Sequence, residues 1–272
     1  MTLHAHNITA MRGRSTVLHD VDVAIEPGRI TAVIGENGAG KSTLVDVLVG
    51  ELRPTRGHVG VVVDDREFDL ATLSVAARAR LWAVLPQRTH VVFDLDVLDV
   101  VLIGRAPWHV GRPRDLDADV ALRCLEQVDA RHLATRSFLQ LSGGEQQRVA
   151  LARALAQLHG EDGRFETGAR SLILDEPTTY LDFRAQELLM HVARAAADGG
   201  KGVLVVVHDL NLAAALADHV VVLSKGRVVS SGAPADVMTG AILSRALRAP
   251  VKVAAVVDGR PLLMLDRSGS LL

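Results

Sequence analysis

A five-residue apolar run, Ile30 to Ile34, leads without a spacer into Gly35-Glu36-Asn37-Gly38-Ala39-Gly40-Lys41-Ser42-Thr43, and from Lys41 to Val49 the residues take helical spacing. No other string restricts the backbone as much. Its glycines permit a tight strand-to-helix turn whose N–H groups point at one spot, where the helix N-terminus adds positive partial charge. Such a turn cradles phosphate oxygens. Lys41 is placed to bridge the β- and γ-phosphates of a nucleoside triphosphate and Ser42 to give a hydroxyl to Mg2+, while Asn37, Ala39 and Thr43 complete the cradle. A strand ending this way belongs in an α/β fold with its ligand outside the strand's carboxyl end.

The rest of the chain supplies that fold. Apolar runs at Leu172 to Leu174, Val203 to Val207 and Val220 to Leu223 read as further buried parallel strands, and helical spacing at Glu145 to Leu158, Arg184 to Ala197 and Leu210 to Ala217 alternates with them. The first thirty residues and His58 to Val63 read as short strands broken by turns at Arg12 to Ser15 and Pro27-Gly28, an antiparallel flap. From about Arg88 to Ala156 helical spacing dominates, especially at Asp117 to Val128, which predicts an inserted helical subdomain entered at Pro86-Gln87. His159 to Arg170 is polar and Gly-containing, a surface loop. The division expected is a single 272-residue ATP-binding domain, with residues 1–87 and 157–250 as core and flap, 88–156 as helical subdomain and 251–272 as a short terminal element.

Two further strings carry chemistry. Leu172 to Glu176 is an apolar strand ending in adjacent carboxylates, and period-2 alternation sends neighbours to opposite faces, so Asp175 can hold Mg2+ while Glu176 polarises the attacking water. Taken alone, the pair could equally cap the next loop. Ser142-Gly143-Gly144-Glu145 is a capping box opening an amphipathic helix, with two glycines that let its N-terminus approach an anion such as an ATP γ-phosphate.

Composition excludes rather than selects. Thirty basic against 32 acidic side chains, a net charge of −2, give no broad attraction to nucleic acid, so no nucleic-acid partner is expected. The single cysteine, Cys124, rules out an internal disulfide, and a small buried hydrophobe is its ordinary role. The N-terminus lacks the apolar core of a signal peptide, and no run of about 18 apolar residues occurs, so neither secretion nor a membrane span is expected.

Together the phosphate loop, LSGGEQQR, DEPT and a later histidine after an apolar strand resemble the nucleotide-binding subunit of an ATP-binding cassette (ABC) transporter, from Leu3 to about Val251. The resemblance implies a P-loop NTPase fold: a RecA-like parallel-sheet core, an N-terminal antiparallel β subdomain and an inserted helical subdomain. It implies ATP and Mg2+ as cofactors and a head-to-tail homodimer, in which Ser142, Gly143 and Gly144 of one copy close over ATP held by Lys41 of the other. Gln87 in VLPQ matches a glutamine that senses magnesium, His208 in VVVHDLN a switch histidine, and Asp182 an aspartate crossing the dimer interface. The other ten of the eleven histidines show no i, i+4 ligand spacing and read as surface or satisfied residues. Where many such subunits stack an aromatic ring on adenine, this chain has Arg12, whose guanidinium could stack instead or remain a solvated turn residue. Tyr180 stands where a small residue is common.

A lone cassette implies separately encoded membrane subunits, a peripheral seat on the cytoplasmic face of the inner membrane, and indirectly a substrate-binding protein. The segment Trp82 to Trp108, with VLPQ and GR-x-P, resembles importers of iron-siderophore, vitamin B12 and haem, and the loop after LARALAQL points to haem, with ferric siderophore and cobalamin as alternatives. Residues 91–108 would line the groove receiving a permease helix, although Trp108 could instead be core. A non-transport ABC ATPase acting on DNA or ribosomes would bring tandem cassettes, coiled coils or basic extensions, which the sequence lacks. An exporter subunit and a soluble kinase or GTPase are the other rivals, the latter wanting a guanine-reading motif that does not occur.

Overall fold

The computed structural model describes residues 1–63, 65–87, 93–108, 114–160, 170–178 and 181–266. In chain order its elements are β1 (Thr2–Arg12), β2 (Ser15–Ile25), β3 (Ile30–Ile34), α1 (Lys41–Val49), β4 (Arg56–Val63), β5 (Arg66–Asp69), α2 (Val75–Leu81) and β6 (Trp82–Leu85). There follow α3 (Val97–Leu102), α4 (Arg114–Gln127), α5 (Gly143–Leu158), β7 (Ser171–Asp175), α6 (Phe183–Asp198), β8 (Gly202–Val206) and α7 (Leu210–Leu216). The chain continues with β9 (His219–Ser224), β10 (Arg227–Gly232), α8 (Pro234–Val237), α9 (Gly240–Leu247), β11 (Val251–Val257) and β12 (Arg260–Leu265).

A six-stranded sheet runs β10-β9-β3-β8-β7-β6, parallel except for the antiparallel edge strand β10. Alternate residues of each central strand enter different cores. Ile30, Ala32, Ile34, Leu172, Leu174, Val203 and Val205 join α4, α5, α6 and α7 on one face. Val33, Ile173, Leu204, Val206, Val221 and Leu223 join α1 and the flap on the other. Burial on both faces is why these strands are continuous Val, Ile and Leu.

The flap is a second sheet, β2-β1-β4-β5, antiparallel throughout. Its first two strands are longer than expected, at 11 residues each, because bulges with positive φ at Asn7 and Asp20 let them curl over α1 without breaking. Among the described residues, those between Val97 and Leu158 form α3, α4, α5 and short 3-10 turns, with one isolated bridge, Asp96 to Ser137.

The GR-x-P string has a structural explanation. Arg105 is 1% exposed, and its guanidinium donates to Asp117 and to the carbonyls of Ala156, His159 and Gly160, tying the turn after α3 to α4 and to the end of α5. Gly104 lets that turn press on α5, since a Cβ there would stand 2.2 Å from the Arg153 carbonyl. Trp108 is buried rather than groove-lining: its indole N–H donates to the Gln157 carbonyl, and Arg170 and Arg80 lie 4.6 and 5.4 Å from its ring centre. Phe93 and Ile103 are the large apolar side chains exposed among the described residues of that segment. Residues 91 and 92, most of the 159–170 loop, Tyr180 and the last six residues lie outside the described residues.

The terminal hairpin β11–β12 is held by polar clamps. Asn211 on α7 exchanges two hydrogen bonds with Leu263, and Arg260 donates to the carbonyls of Ala214 and Ala217.

Candidate active site

Four adjacent parallel strands, β3, β8, β7 and β6, bring their carboxyl ends to one edge of the sheet, and each is followed by a residue singled out above. Beyond β3 comes the phosphate loop, beyond β8 His208, at the end of β7 Asp175 and Glu176, and beyond β6 Gln87. In-register pairing fixes their relative heights: Asp175 stands opposite Val206, and Leu85 opposite Leu174.

In the loop, Gly40 caps α1 at φ +105°, a conformation that side chains disfavour, and a Cβ there would meet Leu18 at 2.8 Å. Gly35 lies so close to β9 that a Cβ would stand 2.2 Å from the Leu223 carbonyl. Lys41 is buried, and its ammonium donates to the carbonyls of Gly35 and Glu36 at 2.9 and 3.1 Å. Burial lowers its pKa from the ordinary lysine value, against the attraction of Glu176, Asp175 and Glu36. Asn37, Gly38 and Ser42 are exposed, whereas Ala39 and Thr43 are buried.

Glu176 is the meeting point. Its backbone has φ +48°, a left-handed conformation uncommon for a residue with a side chain, pinned by donation of its N–H to the Val206 carbonyl. One carboxylate oxygen accepts from the Gln87 amide at 2.5 Å, and the other lies 2.6 Å from His208 Nε2, which donates to it. Two residues from the neighbouring strand ends thus share the Glu176 carboxylate.

Asp175 tests whether a cation fits. Its Oδ1 is buried with no hydrogen-bond partner among the described residues, an arrangement that costs free energy unless a positive ligand satisfies it. Burial raises its pKa, the Glu176 charge adds to that, and Lys41 and His208 oppose it. An oxygen set of Asp175 with the Ser42 hydroxyl is the hard-donor chemistry that Mg2+ prefers.

The remaining predicted residues lie elsewhere or are already engaged. Ser142 caps α5 in the capping box: its hydroxyl accepts from the Glu145 N–H, and its hydroxyl and backbone N–H donate to the Glu145 carboxylate at 2.7 and 2.8 Å, which holds the Glu145 pKa below its usual value. Among the described residues the Ser142 side chain hydrogen-bonds only to Glu145, while its carbonyl accepts from the Gln146 N–H as the first bond of the helix, and Gly143 beside it is exposed. Asp182 caps α6 through the Ala185 N–H. Arg12, though exposed, donates to the Thr43 hydroxyl at 3.1 Å and pairs with Asp46, so it joins the phosphate-loop helix. Sequence reasoning missed the Asp46 partner; its one signal was an acidic residue one turn beyond Ser42.

Residues 18–179 match the profile of a family described as ABC transporter. A hemin import ATP-binding protein, HmuV, of Bordetella pertussis is 45% identical over 98% of this chain and 100% of its own. Among solved structures, an inward-facing ABC transporter of metal-chelate type aligns at TM-score 0.78 and 26% identity, covering 98% of both chains. A dimeric bacterial ABC transporter cassette aligns at TM-score 0.72 and 26% identity over 85% of this chain and 98% of that one.

Proposed function

This chain belongs to the ABC transporter family as an ATP-binding subunit of the importer type, and from that premise we propose that it energises haem import through a partner permease at the cytoplasmic face of the inner membrane. The cargo rests on one finding, a 45% match along essentially the whole length of a hemin import ATP-binding protein. The likeness to a metal-chelate type transporter supports ferric siderophore as the second reading. No helix among the described residues is long and apolar enough to cross a membrane, which suits a subunit docked on others.

The chemistry rests on the shared Glu176 carboxylate. In this reading Glu176 orients water and draws off its proton as the oxygen attacks the γ-phosphorus, the bond to the β–γ bridging oxygen breaks, and ADP and phosphate leave. Gln87 and His208 hold the carboxylate on line; His208 also contacts the γ-phosphate. Lys41 and the loop N–H groups, from Gly35 to Thr43, take up phosphate charge. Mg2+, held by Asp175, Ser42 and Gln87, supplies Lewis-acid polarisation of the phosphates when bound. Arg12 would stack on adenine only by leaving its present partners, Thr43 and Asp46.

Ser142, Gly143 and Gly144 of a second copy complete each site, with Asp182 at the seam. The supporting observation is that Ser142 and Gly143 stand exposed at a capped helix start, open to a second copy. Closure on ATP would draw the permease helices together. A cleft of about 480 Å3 between the core and the helical region, lined by Val49, Val75, Trp82, Ile103, Arg153 and Gln157, is where we place the permease contact, next to the 91–108 segment. Residues 1–87 and 157–250 then act as one body and 88–156 as the other.

Reconstitution with the neighbouring permease and binding protein tests the cargo. Haem should stimulate ATP hydrolysis where ferric siderophore and cobalamin do not; stimulation by either of those, and not by haem, overturns the assignment.

A further inference from the structure

The flap carries a side-chain cluster that hydrolysis does not use. On β1, period-2 alternation buries Leu3 and Ala5 and turns His4 and His6 to the opposite face; on β4 it buries Val59 and Val61 and turns His58 to that opposite face, where Gly60 lies covered beneath the neighbouring side chains. The antiparallel register sets His6 opposite His58 and His4 opposite Gly60, and β5 adds Glu67 beside them. Residues 4, 58 and 67, far apart in sequence, so form one patch, which spacing along the chain could not reveal.

We propose that His4, His58 and Glu67 form a binding site for a divalent transition-metal ion of the zinc, nickel or copper(II) class. The donor atoms of the three residues all lie within 4.8 Å of one another. His4 Nε2 stands 3.0 Å and His58 Nε2 3.6 Å from the same Glu67 oxygen. Ligands about 2.0–2.1 Å from a tetrahedral ion stand about 3.3 Å apart, so the two His–Glu separations bracket the required value, and rotation of the imidazoles, whose donor atoms lie within 4.8 Å, would complete the set. Two imidazoles with one carboxylate are borderline donors that favour this class over Mg2+ or Ca2+ and leave a fourth position open.

The surroundings fit the same purpose. A Cβ at Gly60 would stand 2.4 Å from His4 Nε2 and 2.5 Å from the Glu67 oxygen, so the glycine is what allows both donor atoms to converge there. His6 packs edge-on against the His58 ring at 5.7 Å and is itself held by Asp22 at 3.0 Å, which steadies the His58 orientation. A bound ion would bolt β1, β4 and β5 together, on a patch that shares no residue with Asp175, Glu176 or His208.

Zinc titration of the nucleotide-free, magnesium-free full-length protein, followed by calorimetry and by Tm, tests this. The wild type should bind one zinc equivalent that His58→Ala and Gly60→Ala each weaken at least tenfold, and zinc should raise the wild-type Tm but not that of either variant. Asp175→Asn should retain this equivalent, since zinc could also enter the hydrolytic site. The proposal is overturned if both flap variants bind zinc as the wild type does, or if Asp175→Asn abolishes all zinc binding.

Discussion

Asp175, the proposed magnesium ligand, is a buried carboxylate whose ionised form the fold disfavours. Desolvation raises its folded pKa above the unfolded carboxylate value of about 4, so its contribution to stability is greatest below that value and is lost as pH rises through the folded pKa. Asp175→Asn should therefore raise the Tm of nucleotide-free, magnesium-free protein at pH 7, by a margin that shrinks as the pH approaches 4; an equal or lower Tm at pH 7 contradicts the desolvation account. Glu176 makes a different prediction. Replacing it with Gln keeps the side-chain shape but removes the base, so kcat should fall about 100-fold or more while ATP affinity stays near wild type. Unchanged turnover would take Glu176 out of the chemistry. Lys41→Ala, by contrast, removes charge-assisted contacts to phosphate and should weaken ATP binding itself about 10- to 100-fold, measurable by equilibrium titration.

Among the elements, legibility followed burial. The central strands could be read because both faces are buried, leaving uninterrupted apolar runs, and α1 because its glycine turn announces it. By contrast β5, Arg-Glu-Phe-Asp, is exposed at every position and α2 buries none of its seven residues, so neither writes a period into the sequence. β6 is four residues long and becomes a strand only by pairing with β7, across more than eighty residues of chain. Arg105 illustrates a signal whose physical cause the sequence could not show: its motif resembled importer subunits, and the structure gives it a buried ion pair with Asp117 and bonds to three carbonyls. Arg105→Leu would remove that ion pair and the three carbonyl bonds from a buried site and should cost about 3–5 kcal/mol in chemical denaturation. A loss under about 1 kcal/mol, the range of exposed pairs, would contradict the burial.

For the whole molecule, the site was legible as residue types but not as an arrangement. Glu176, Gln87 and His208 come from three separated strings, and only the strand order β3-β8-β7-β6 puts one carboxylate between the other two. Arg12 shows the limit most clearly, because its pairing with Asp46 depends on how β1 and β2 curl over α1. The same molecule-wide view gives the dimer account its sharpest test, since Lys41 and Ser142 would serve opposite sites. Lys41→Ala disables one half, and Ser142→Asn disables the other while keeping a side chain that can still cap α5. Each variant alone should hydrolyse ATP poorly, whereas the mixed dimer holds one site built from an intact loop and an intact Ser142. Hydrolysis restored on mixing the two purified variants is the predicted result; no recovery in verified mixed dimers, or full activity of Ser142→Asn alone, would contradict a site shared between copies.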